Sequence, residues 1–126
     1  MRRIKITAGT VTCEGELADT VCAQAIWEVL PFSAKVNTWG DEIYFTIPVR
    51  QALDDTAREV VEKGDLGYWP KGPAFCIFFG PTPISKGNEI RPASAVNIVG
   101  KIIGDPAIFR NVPPGSPLTL EKRDDA

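Results

Sequence analysis

Residues 64–92 hold five of the eleven glycines and five of the eleven prolines of this 126-residue chain. Proline lacks the amide proton that a helix or a central strand must donate, and glycine loses the most freedom on ordering. A regular helix therefore cannot run through this segment, and short strands separated by turns remain. Residues 66–69 and 74–79 read as strands around the turn Pro70-Lys71-Gly72-Pro73. Residues 81–92 read as a loop, and 95–103, the most β-branched run, as a central strand.

The rest of the chain extends this pattern. Ile4, Ile6 and Ala8 alternate with polar neighbours, and Val11, Cys13 and Gly15 resume the alternation after Gly9-Thr10. Two antiparallel strands result. Residues 32–38 and 42–49 read as two more, joined by the turn Trp39-Gly40-Asp41. One helix interrupts the strands. Asp19 or Thr20 offers its N-cap, Val21, Cys22, Ala25, Ile26, Val29 and Leu30 form its apolar stripe, and Pro31 ends it. Trp27 points away from that stripe, so it is either covered by a neighbouring segment or a contact of a homodimer. Residues 51–63 are open between a short helix capped by Asp54-Asp55 and a strand entered at Glu59-Val60-Val61. Asp105-Pro106 opens a short turn or helix to Asn111, and residues 118–122 close the sheet after Pro113-Pro114-Gly115. The tail over 119–126 is expected to be partly frayed. The pattern predicts one domain over residues 1–126, a mainly β closed antiparallel barrel with one capping helix and one or two short helical turns.

Several functions are disfavoured by residue content. Fourteen basic and sixteen acidic residues leave a formal charge of −2, and Arg2, Arg3 and Lys5 form the one basic cluster. Phosphate recognition needs concentrated positive charge, so no nucleic-acid partner is expected. No apolar run approaches the roughly 20 residues that span a bilayer. Charges followed by alternation at the start do not resemble a signal peptide, so a cytoplasmic protein is expected. Histidine is absent, which removes Ser-His and Cys-His nucleophile systems and most transition-metal sites. Cys13, Cys22 and Cys76 are odd in number and form no C-x-x-C pair, so they read as small buried apolar residues. No metal and no cofactor is expected.

Four blocks carry a resemblance: Val36-Asn37-Thr38-Trp39-Gly40-Asp41-Glu42-Ile43-Tyr44-Phe45, Gly64-Asp65-Leu66-Gly67-Tyr68-Trp69-Pro70, Phe79-Gly80-Pro81-Thr82-Pro83 and Pro92-Ala93-Ser94-Ala95-Val96-Asn97. In this order they resemble the small prokaryotic cyclophilin-like proteins, an uncharacterised branch of the cyclophilin fold. The resemblance implies a closed eight-stranded antiparallel barrel with helices over its open ends. Cyclophilins that isomerise prolyl bonds use an Arg, with a Trp and a His around an apolar pocket. The strand where that Arg is expected reads Ser33-Ala34-Lys35-Val36-Asn37, and an ammonium is no equal of a planar guanidinium fork.

The candidate ligand-binding residues are Asn37, Thr38, Trp39, Tyr44, Trp69, Phe79, Thr82, Arg91, Ser94 and Asn97. Asn37-Thr38-Trp39 supplies an amide, a hydroxyl and a large ring, with Asn37 and Trp39 on one strand face. It is either a pocket wall or a capped turn with a core plug. Phe75, Ile77 and Phe79 face one way and Cys76 and Phe78 the other, so one set fills the barrel. The outer set either lines a groove or lies beneath loop 81–92. Arg91 is a candidate donor to a ligand carbonyl or carboxylate, and Ser94 and Asn97 are either ligand contacts or backbone caps. Asp41 and Glu42 face opposite sides of a strand and make a poor acid–base pair. The function expected is binding of a small polar molecule or short peptide in an aromatic-lined pocket. The alternatives are a peptidyl-prolyl isomerase with an altered site and a homo-oligomeric scaffold through Trp27.

Overall fold

Alternation along the first strands builds one wall of the core. The computed structural model describes residues 2–123. β1 (Arg2–Ala8) and β2 (Val11–Leu17) pair as a hairpin, and β1 turns Ile4, Ile6 and Ala8 inward. Gly9 takes the left-handed φ of 59° that the tight connection requires. Helix α1 (Val21–Glu28) starts at Thr20, whose Oγ1 accepts from the Ala23 amide at 3.1 Å. Its stripe buries Cys22, Ala23 and Ile26. Val21, expected in that stripe, is exposed instead. Trp27 is half-buried, with the Arg2 guanidinium 5.4 Å and the Lys122 ammonium 5.0 Å from its ring centre.

Further along follow β3 (Phe32–Lys35), β4 (Asn37–Thr38), β5 (Glu42–Thr46), β6 (Asp65–Trp69), β7 (Ala74–Phe78), β8 (Asn97–Ile103) and β9 (Pro117–Lys122). A 3-10 helix, Pro106–Asn111, precedes β9, and Asp105 caps it by accepting from the Ala107 amide at 3.0 Å. The sheet order is β3-β9-β1-β2-β8-β6-β7-β5-β4, antiparallel throughout. Its two edges, β3 and β4, are consecutive in the chain and separated only by Val36. The sheet is thereby joined end to end as a nearly closed barrel. Eight strands are expected and nine are found among the described residues, because the strand over 32–38 breaks at Val36. That residue donates to Ser116 O at 3.0 Å and accepts from Gly115 N at 2.8 Å, so its groups go to a turn. The half before it pairs with β9 and the half after it with β5.

The barrel interior is filled by Ile4, Ile6, Leu17, Ile43, Leu66, Ile77, Val99 and Leu120, with the Phe45 and Phe75 rings stacked at 5.5 Å. Phe79 meets Phe109 at 6.1 Å and packs the 3-10 helix onto this core. Two expectations need correction. Residues 51–63 form neither a helix nor a strand. Asp54 caps one turn, accepting from the Thr56 amide at 2.8 Å and, through its carbonyl, from the Ala57 amide at 3.1 Å. Two isolated bridges, Arg58 to Val96 and Val61 to Ile90, then tie the segment down. The strand expected over 42–49 ends at Thr46, two residues before Pro48, which has no amide proton to extend the ladder. Within the tail expected to be partly frayed, β9 pairs with β1 as far as Lys122, and residues 124–126 lie outside the described residues. No described helix is long and apolar enough to cross a membrane.

Candidate functional site

The strands β5, β7 and β6 have a second face, and it is apolar too. Alternation sends Ile43, Phe45, Phe75 and Ile77 into the barrel and leaves Glu42, Tyr44, Ala74, Cys76 and Phe78 outside. Register places Tyr44 beside Cys76, and Thr46, Ala74 and Trp69 in one row. The outer residues form their own buried cluster, Val61, Ala74, Cys76, Phe78, Ile90 and Val96, with Tyr44, Trp69 and Ile98 packed against it. The bridged segments around Arg58, Val61, Ile90 and Val96 roof part of this face, and Phe78 is fully buried beneath them. The groove and the covering loop, alternatives in the sequence, are both present on different parts of one surface.

Where the roof ends, a cleft of about 280 Å³ remains. Trp39, Tyr44 and Trp69 line it with Glu42 and Cys76, and the stretch Pro92, Ala93 and Val96 forms the opposite wall. Two hydrogen bonds position these tryptophans, one through the indole and one through the main chain. Trp69 donates from Nε1 to Ser94 Oγ at 2.7 Å, which ties β6 to the 92–96 wall. Trp39 enters the hairpin through its amide, which donates to Glu42 O at 3.0 Å. Gly40 follows at φ 61°, and an added Cβ there would lie 2.9 Å from Pro81 O and Thr82 Cα. Only glycine lets this turn meet the loop so closely.

Among the described residues, Glu42 is the one carboxyl in the cleft lining, and it is only 6% exposed. Burial pushes its pKa up to about 7, while the Cys76 thiol donating to it acts in the opposite direction. Cys76 is pushed well above the ordinary thiol range, first by burial and then by the neighbouring Glu42 charge. It therefore stays S–H at neutral pH and is a donor, not a nucleophile. Burial, with Glu14 nearby, also raises Cys13 to about 11. No Lys or Arg among the described residues lines the cleft. Among the described residues, no three His, Cys, Asp or Glu side chains gather to hold a metal ion.

Of the ten residues singled out in the sequence, the cleft brings together Trp39, Tyr44 and Trp69, with Ser94 behind Trp69. The others sit elsewhere. Phe79 is buried in the barrel core. Asn97 is fully buried and spends its amide on main chain, accepting from Asp54 N at 2.8 Å and donating to Ala52 O at 3.0 Å. Thr82 donates to the Arg91 carbonyl and accepts, through its loop, the company of Ser85, whose Oγ takes the amides of Thr82 and Arg91 at 2.9 and 3.0 Å. The Arg91 guanidinium is paired with Glu89 at 3.1 Å. Asn37 is exposed on β4, and Thr38 is half-buried opposite Ile43. Sequence reasoning missed Glu42 and Cys76. The available signal was the two-residue spacing of Glu42 from Tyr44, which puts both on the outer face.

The family model described as Cyclophilin-like matches residues 2–121. No curated protein matches the chain. Among solved structures, the chain is similar to the solution structure of a hypothetical protein from Archaeoglobus fulgidus. The two are 39% identical over 97% of this chain and 95% of that one, with a TM-score of 0.81.

Proposed function

The chain belongs to the cyclophilin-like family, and from that premise we propose that its outer-face cleft binds a small molecule or a short peptide without the usual isomerase site. The observation that carries this reading is the cleft lining itself. Three large rings and one buried carboxyl converge on a space of about 280 Å³, the small end of ligand-sized pockets. Indole and phenol rings give contact area at little entropic cost, and a single acid fixes orientation. The family's isomerase His has no counterpart, as the chain contains none. Lys35, on the strand where the Arg would stand, is exposed opposite Pro117. Tryptophan fluorescence tests the proposal against a panel of metabolites and proline-containing peptides. A saturable change that disappears in Trp69→Phe supports it, and a flat response across the panel contradicts it.

A prolyl isomerase with an altered site is the second reading, and Glu42 favours it. With its pKa pushed up to about 7 by burial, its carboxyl keeps its proton in about half of the molecules at neutral pH and is then a donor inside an apolar cleft. Rotation about the peptide bond needs no proton transfer, and a placed donor lowers a barrier of roughly 20 kcal/mol. A coupled prolyl-peptide assay with no rate above background at high protein concentration removes this reading.

A further inference from the structure

Resting on the reading of this cleft as a binding site, we propose that its ligand carries an alkylated ammonium group, seated against the faces of Trp39, Tyr44 and Trp69 with Glu42 as its counter-charge. Three observations support that chemistry. Trp39, Tyr44 and Trp69 all line the cleft, and the face of an aromatic ring attracts cations and repels anions, most strongly in indole. Glu42 is more than nine-tenths buried, lines the same space, and has only the weak Cys76 S–H donor acting on it. Among the described residues no cationic side chain lines the cleft to neutralise it, and the guanidinium nearest in sequence to the 92–96 wall, Arg91, is held by Glu89.

These features select by charge. An anion meets ring faces and a carboxylate, all unfavourable. A neutral ligand gains contact area but leaves the ionised carboxyl without a counter-charge. An alkylated ammonium satisfies both the rings and the acid, and its methyl groups cost little to desolvate compared with a bare ammonium. The volume suits a head group with a short tail. Cys76 from β7 acts on the Glu42 carboxyl, and Tyr44, two residues along β5, lines the same cleft; Asp41, its neighbour in the chain, is directed to Arg110 at 3.9 Å. Glu42 is thus the group in the lining that changes charge between mildly acidic and mildly basic solution, and cation affinity rises as it ionises.

The experiment is calorimetric titration of the full chain with choline chloride and with its neutral carbon isostere, 3,3-dimethylbutan-1-ol, at about pH 5.5 and 8.5. A short peptide bearing trimethyllysine, run in parallel, tells a free ligand from a side chain. The expected result is choline or the peptide binding at pH 8.5, roughly tenfold weaker binding at pH 5.5 as Glu42 takes up a proton, and a similar loss in Glu42→Gln. The isostere should bind at least about tenfold more weakly than choline, as expected when a cation–π contact is removed. Equal binding of choline and isostere, or binding indifferent to Glu42→Gln, overturns the cation inference and leaves the cleft as a binding site. No binding of any probe at either pH also overturns it, and the binding reading then stands or falls by its own fluorescence panel.

Discussion

Replacing Glu42 by glutamine should stabilise the protein, and only on the basic side. The unfolded chain releases this proton near 4.5, whereas the native carboxyl, 6% exposed in the cleft it lines with Trp39 and Tyr44, holds it to about 7. Between those values the native state binds more protons than the unfolded one, so stability falls as pH rises. The loss begins near the unfolded pKa and levels off above the native one. At roughly 1.4 kcal/mol per pH unit, this interval amounts to about 3 kcal/mol. Glutamine is nearly isosteric and cannot ionise, so Glu42→Gln escapes the loss. The two proteins should have similar stability at pH 5, within about 1 kcal/mol for the exchange of one hydrogen-bonding group. The variant should gain about 3 kcal/mol on wild type by pH 8.5. Urea unfolding followed by circular dichroism at several pH values between those limits gives the difference directly. Asp65, also raised by burial, titrates in both proteins and cancels. A stability difference that stays constant from pH 5 to 8.5 refutes the reasoning, because it means the Glu42 carboxyl is not desolvated.

Other predictions rest on close approach and on single hydrogen bonds. A methyl group at Gly100 collides with the Glu16 carbonyl where β8 pairs with β2, so Gly100→Ala should cost about 1–3 kcal/mol in urea unfolding. Asn97→Ala leaves Asp54 N and Ala52 O without their buried partner; a loss of about 2 kcal/mol is expected, with faster amide exchange over residues 52–57. Thr20→Ala removes the cap of α1 and should lower stability by about 1 kcal/mol, read as a drop in the thermal midpoint.

The barrel was legible in the sequence because its interior obeys period two. Ile4-Ile6-Ala8, Ile43-Phe45 and Phe75-Ile77 all point to the core as their spacing requires. The 3-10 helix after Asp105 was legible for the same kind of local reason, a carboxylate cap followed by proline. Val36 was not. Nothing in its side chain shows that its backbone groups go to residues 115 and 116, which are some 80 positions away in the sequence. The cleft was half legible. Its rings stood out by size, but Glu42 was dismissed as half of a mismatched pair with Asp41, although the face it shares with Tyr44 is what matters. Arg91, Thr82 and Asn97 looked available for a ligand because local composition does not reveal partners. Each is engaged by the chain itself, through Glu89, Ser85 and the backbone at Ala52 and Asp54.

The central claim is that the outer face of β5, β7 and β6 is a ligand site, and the three tryptophans report on it separately. Trp39 and Trp69 line the cleft, while Trp27 lies on α1 against Arg2 and Lys122. Nitrogen–proton correlation spectra of labelled protein, with the three indole signals assigned by single Trp→Phe variants, should be followed during titration with choline and with a short proline-containing peptide. Saturable shifts of the Trp39 and Trp69 signals with at least one probe, while Trp27 stays still, are the predicted result. Shifts centred on Trp27, or no movement of the two cleft indoles with either probe, would contradict the account.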